Sequence, residues 1–142
     1  MTQDGREALM KLACGDMRRA LNILQAVHTG YPQCNEQTVY ACTGSPQPAD
    51  MARVLNWLMT LDFSSALQNI VSLKQDKGLA LADMLTELNA LVNTIELPNA
   101  SLIYLIDKLS LIEYNLAAGG NENIQLNATV AAFRIAVDLA AK

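Results

Sequence analysis

Residues 4–25 read DGREALMKLACGDMRRALNILQ, two short segments of apolar periodicity on either side of a glycine. Asp4-Gly5-Arg6-Glu7 has the spacing of a capping box, with Asp4 as N-cap and Glu7 reaching back to it. Leu9, Leu12 and Ala13 then fall on one helical face, and Gly15 stops the helix. Asp16 caps the next one, in which Met17, Ala20, Leu21 and Leu24 repeat at i, i+3, i+4 and i+7 and predict the buried stripe. Helix, glycine turn, helix is the pattern of an all-α chain.

The rest of the sequence extends that pattern. Gly30 and Pro32 end the second segment, and a third short helix is expected from Asn35 to Thr43, closed by Gly44. Ser45-Pro46-Gln47-Pro48 places two prolines within three residues and marks a connector between a small N-terminal unit and a larger one. Five helical segments follow. Met51, Val54, Leu55 and Leu58 form one stripe; Phe63, Ala66, Leu67 and Ile70 form the next, capped by Asp62 and stopped near Gly78. Leu81, Met84, Leu85, Leu88, Leu91 and Val92 predict a long amphipathic helix that Pro98 ends. Leu102, Ile103, Ile106, Leu109 and Ile112 continue in a helix terminated by Gly119-Gly120, with Leu105 and Leu111 away from the main stripe. A helix apolar on most sides is central in a bundle or buried against a partner. The last helix is expected from about Ile124 to Leu139, with Val130, Phe133 and Val137 inward.

Composition agrees: 51% of the 142 residues are apolar and 17% charged, which suits one well-packed domain, or one domain and part of another. The net charge of −4 argues against a free-standing nucleic-acid binder, which would show a basic face. Residues 1–44 balance four acidic against four basic side chains, whereas residues 45–142 hold ten against six, so the larger unit looks still less like a DNA-reading surface.

Chemistry is sparse. There is no GxxxxGK[ST], HExxH or GxSxG pattern. Cys14, Cys34 and Cys42 form no CxxC pair, and His28 alone could join them, so neither a metal site nor a disulfide framework is expected. The cysteines suit a reducing compartment, cytosol or nucleus. His28 reads as a surface or helix-end residue, Glu87 and Glu113 as part of solvated helix faces, and Met51, Met59 and Met84 as packing. No apolar run nears the eighteen or so residues of a membrane span.

The exception is the pair Arg18 and Arg19. With Asp16 as N-cap they are the second and third residues of a helix, where unsatisfied N–H groups already carry about +0.5 charge. Cations there cost about 0.3–1 kcal/mol each at an exposed site. One reading pairs the arginines with Asp16 or a nearby carboxylate; the other has the N–H groups and one arginine receive an anion such as phosphate. Arg18 shares a face with Asn22 and Gln25, opposite the predicted stripe, and is the better anion-facing candidate; Arg19 lies nearer Ile23 and Ala26 and is expected to pack along the edge. A third reading takes residues 8–24 as a DNA-binding helix-turn-helix with a basic start to its second helix. An adaptor of unrelated helical-bundle type also fits the pattern.

The stretch at residues 4–25, followed by TVYACTG at residues 38–44 and KGLALADMLTEL at residues 77–88, resembles the small subunits of eukaryotic replication factor C, the sliding-clamp loader, and is nearest to the type called subunit five. The resemblance runs the length of the chain. It implies an all-α fold in which residues 1–44 are the later part of an AAA+ lid and residues 45–142 a five-helix collar through which five loader subunits form a ring. In that family G-D-[ML]-R-[RK]-A opens a lid helix whose arginine, called sensor 2, points to the nucleotide's terminal phosphate. Carried over by position, Arg18 is that sensor, Gly15 supplies the turn, and Asp16 and Arg19 support it. The implied cofactor is ATP with Mg in the full-length subunit and none here, because the nucleotide-binding core with its Walker motifs is missing, and with it the lid's first helix. No catalytic or metal-binding residue is therefore expected, and this portion is not expected to be an enzyme. The implied partners are the other replication factor C subunits, and, through the whole loader, the sliding clamp and primer–template DNA in the nucleus. An incomplete lid should also expose Leu9, Leu12 or Leu21, which gives the chain a route to self-association.

Overall fold

The protein is described by a computed structural model covering residues 1–141. Among the described residues there are eight helices and no strand. They form two compact units, Met1–Gln47 and the residues from Pro48 on.

The first unit holds α1 (Gln3–Ala13), α2 (Met17–Gly30) and α3 (Glu36–Thr43), each packed on the other two. Its core is Ala8, Leu9, Leu12, Ile23, Val27, Val39 and Tyr40. Two expectations change. Thr2, not Asp4, is the N-cap of α1: its hydroxyl accepts from the Gly5 amide. Asp4, inside the first turn, instead accepts from the Glu36 amide at 3.1 Å and ties α1 to the start of α3. The buried face of α2 is Ile23 and Val27, flanked by half-buried Ala20 and Leu24, while Met17 and Leu21 point outward. α2 carries apolar residues on two adjacent arcs, and packing against α1 and α3 selects one of them. Gly5 lets α1 approach the chain entering α3, since a Cβ there would stand 2.7 Å from the Cys34 carbonyl oxygen.

The second unit holds α4 (Pro48–Thr60), α5 (Phe63–Lys77), α6 (Leu81–Val92), α7 (Asn99–Ala117) and α8 (Glu122–Ala140). Pro48, expected in the connector, is the first residue of α4, where a missing N–H costs nothing. α8 packs against α4, α5 and α7, and α6 bridges α4 and α7. The core is built from Met51, Leu58, Ile70, Leu85, Leu105, Leu109, Val130 and Phe133, with many others around them. α6 ends at Val92, six residues before Pro98, because Thr94 turns back on it: its amide and hydroxyl both donate to the Leu91 carbonyl, at 2.9 and 2.7 Å.

The phase of α7 also differs from expectation. Ser101, Leu105, Leu109 and Ile112 face inward, so Leu105 is fully buried while Ile103 and Ile106 lie outside. A helix apolar on most sides has a clear period but no clear phase.

Polar side chains close the bundle. α6 has Ala80 as its N-cap residue and no side-chain cap of its own. Glu122, at the start of α8, supplies the missing acceptor: it takes the Leu81 amide at 2.8 Å and the Lys74 ammonium at 2.6 Å. Burial pushes the carboxyl of Asp50 up, but Lys77 and Arg53, which both donate to it, outweigh that and hold it below its ordinary range. Arg53 also lies over the Trp57 ring. Arg134 of α8 donates to the Leu61 carbonyl in the α4–α5 turn at 2.9 Å.

Candidate functional site

The site is the turn from α1 to α2. α1 ends on Cys14 in the left-handed conformation, with φ 50°, and Gly15 follows at φ 83°. Two successive left-handed residues reverse the chain within one turn, which suits glycine and is uncommon for cysteine. The Cys14 thiol donates to the Lys11 carbonyl at 3.2 Å and the Asp16 amide to the Ala13 carbonyl at 2.9 Å, so the end of α1 is closed locally. No atom lies within 4 Å of a Cβ built on Gly15; its role there is conformational.

Asp16 then caps α2 as the sequence indicates. One carboxylate oxygen accepts from the amides of both Arg18, at 2.8 Å, and Arg19, at 3.2 Å. That oxygen is thus engaged by two backbone donors. Among the described residues no ion pair engages either arginine side chain, and both residues are exposed. The pairing of the arginines with a neighbouring carboxylate is not found. Arg18 stands on the solvent arc with Asn22 and Gln25, while Arg19 is next to Ile23 around the helix yet remains exposed, so its expected edge packing is weak.

Next to the Arg18 arc, a groove of about 690 Å³ opens within the first unit, lined among others by Leu21, Leu24, His28, Tyr31 and Cys34. Leu21 is 60% exposed on its rim. Of the three leucines expected to be uncovered, Leu9 and Leu12 are buried in the unit's own core and Leu21 alone is open. His28 is an exposed residue of the last turn of α2.

Other constellations are structural. The three cysteines are free thiols, and no group of three His, Cys, Asp or Glu among the described residues could hold a metal ion. No helix of the described residues is long and apolar enough to cross a membrane. Sequence reasoning missed the left-handed Cys14 and the roles of Asp50 and Glu122. A carboxylate shortly after a proline-marked helix start, and one after Asn121 at the head of the last helix, were the available signals.

Comparison with known proteins adds the family. Residues 46–132 match the family described as the replication factor C C-terminal domain. The chain is 46% identical over 139 residues to human replication factor C subunit 5, covering 98% of this chain and 41% of the relative. It is 45% identical over 139 residues to the mouse subunit 5, with the same coverage, and 43% identical over 140 residues to subunit 3 of Schizosaccharomyces pombe, covering 98% and 41%. The chain therefore spans about two fifths of the length of these curated relatives. A five-helix unit carrying the family match, preceded by a helix–turn–helix–helix unit that stays similar over nearly every residue, places the chain in the replication factor C family.

Proposed function

We propose that the chain is the assembly portion of a clamp-loader small subunit, with residues 45–142 as its collar and residues 1–44 as the later part of its AAA+ lid. The observation that carries this is the match over residues 46–132 on a bundle that is closed by its own polar contacts. In this reading the collar holds neighbouring replication factor C subunits together. The whole loader uses ATP with Mg to open the sliding clamp and place it on primer–template DNA in the nucleus, and the nucleotide-binding core belongs to the length of the relatives that this chain does not span. The helix-turn-helix alternative has little support, since the first unit balances its charges and offers few cations for phosphates.

Within the lid, Arg18 is the sensor of the terminal phosphate, with Gly15, Asp16 and Arg19 in support. Asp16 holds the Arg18 amide, Gly15 sets the reversal, and among the described residues no carboxylate pairs with the guanidinium. A charge-assisted hydrogen bond from Arg18 to phosphate would link lid position to nucleotide state. The open Leu21 groove is what a lid with further surface to cover would show.

Two measurements test this. Mixed with its sister subunits, the chain should enter a stoichiometric complex by light scattering; failure to bind any sister subunit refutes the assembly reading. In a subunit that carries the nucleotide core, Arg18→Ala should weaken the ATP response by about 1.5–3 kcal/mol, roughly 10- to 150-fold. Unchanged ATP-dependent clamp loading would remove the sensor role.

A further inference from the structure

Both ends of α2 are electrostatically unmet among the described residues. Arg18 adds a cation to the N-terminal turn, and no ion pair engages it there. At the other end Pro32 has no N–H to give, and no hydrogen bond among the described residues reaches the carbonyls of His28, Thr29 or Gly30. Between these ends Arg18, Leu21, Gln25 and His28 are all exposed and recur at spacings of three, four and three, the seam of a helix pair. Met17, 72% exposed, and half-buried Leu24 flank that seam on the side of the groove. α2 holds no acidic residue, and none lines the groove. A face with a cation at one end, bare carbonyls at the other and an apolar hollow between is complementary to itself turned end for end.

We propose that this face receives α2 of a second copy of this chain, the two helices antiparallel about a twofold axis level with Ile23. In that register Leu21 faces the partner's Gln25 and enters the partner's groove, while Arg18 faces the partner's His28. The guanidinium then lies beside a helix end that carries about −0.5 charge, the placement its own helix denies it. The two Arg18 side chains stand about 15 Å apart along the helices, beyond the ~8 Å over which charges act at physiological salt. A parallel copy would instead set Arg18 against Arg18. A uniformly acidic partner would answer the arginine but oppose the carbonyls, and a basic one would do the reverse. The contact is isologous, so it closes at two copies and goes no further. It does not depend on the assembly reading above. Where Arg18 serves as a phosphate sensor, pairing and sensing exclude each other.

Light scattering of the chain alone, from about 10 μM to 1 mM at low salt, should show the mean mass rise from 15.4 kDa toward twice that value. Leu21→Glu, at an exposed position, should keep the thermal midpoint of the wild type by circular dichroism and pair at least tenfold more weakly. Arg18→Glu should weaken pairing at least threefold, the difference shrinking as salt rises. An acid in the first turn strengthens α2 itself, so that loss does not come from unfolding. Adding His28→Lys to Arg18→Glu should restore pairing to within twofold of the wild type, because only an antiparallel pair sets each new carboxylate against a new ammonium. A chain that stays monomeric to about 1 mM overturns the proposal. A dimer that Leu21→Glu leaves within twofold of the wild type meets elsewhere and overturns it too. Failure of His28→Lys to restore pairing overturns the antiparallel register.

Discussion

Replacing Glu122 by alanine removes two contacts at once. Leu81 loses the side-chain acceptor that Glu122 supplies at the head of α6, and Lys74 loses its carboxylate. A lost helix cap costs about 1 kcal/mol, within a range of roughly 0.5–2. The ion pair is worth less, because the Glu122 side chain is 42% exposed and Lys74 can return to water, so about 0.2–1 kcal/mol applies. Together they come to about 1.2–2 kcal/mol, a fall in thermal midpoint of roughly 5–16 °C for a unit of this size. Glu122→Gln keeps an oxygen for Leu81 and should lose about 0.5 kcal/mol. The Lys74 ammonium, then the Leu81 amide, hold the Glu122 carboxyl below its usual value of 4.5 against the opposing effect of burial. A carboxyl depressed on folding stabilises the fold fully above its unfolded value, and that contribution fades as pH falls through the folded one. Urea melts of wild type and Glu122→Ala should therefore differ at pH 7, and the difference should shrink progressively as pH falls below the carboxyl's usual value of 4.5. A difference under about 0.3 kcal/mol at pH 7, or one that persists unchanged at pH 3, refutes the assignment of Glu122 as a shared cap.

Gly120→Ala should destabilise the α7–α8 junction by about 1–3 kcal/mol, since its Cβ would meet the Asn115 carbonyl oxygen at 2.7 Å and backbone must shift; equal thermal midpoints would contradict the close approach. Asp50→Ala should cost about 1–3 kcal/mol in denaturant melts, with Arg53 and Lys77 left facing each other, and the loss should diminish in acid as the wild-type carboxyl protonates. A stability profile for Asp50→Ala parallel to that of the wild type from pH 7 to pH 3 would argue against the pair.

The helices were legible because their punctuation is local. Asp16, Asp62, Gly44 and Gly78 stand where caps and left-handed ends require them, and each does that work in the structure. What could not be read was phase. α2 and α7 carry apolar residues on more arcs than they bury, and only neighbouring helices decide whether Leu21 or Ile23, Ile103 or Leu105, turns inward. Contacts across long sequence separations were also invisible: nothing near Ala80 announces that its helix is capped from 41 residues downstream. At the candidate site the reverse holds. The turn, the cap and the placement of Arg18 are all encoded within five residues, so they could be read directly, whereas the phosphate role rests on family likeness rather than local physics.

The position of α8 has a consequence for how the chain is made. It touches α4, α5 and α7, yet it is the last of the five helices to leave a ribosome. The Leu61 carbonyl waits 73 residues for Arg134, about 4–15 s at ordinary rates of synthesis, and Met51 and Leu58 wait about as long for Phe133. During that interval the nascent bundle shows its core to the cytoplasm, so a chaperone that shields apolar helices has its window before α8 arrives and loses its substrate soon afterwards.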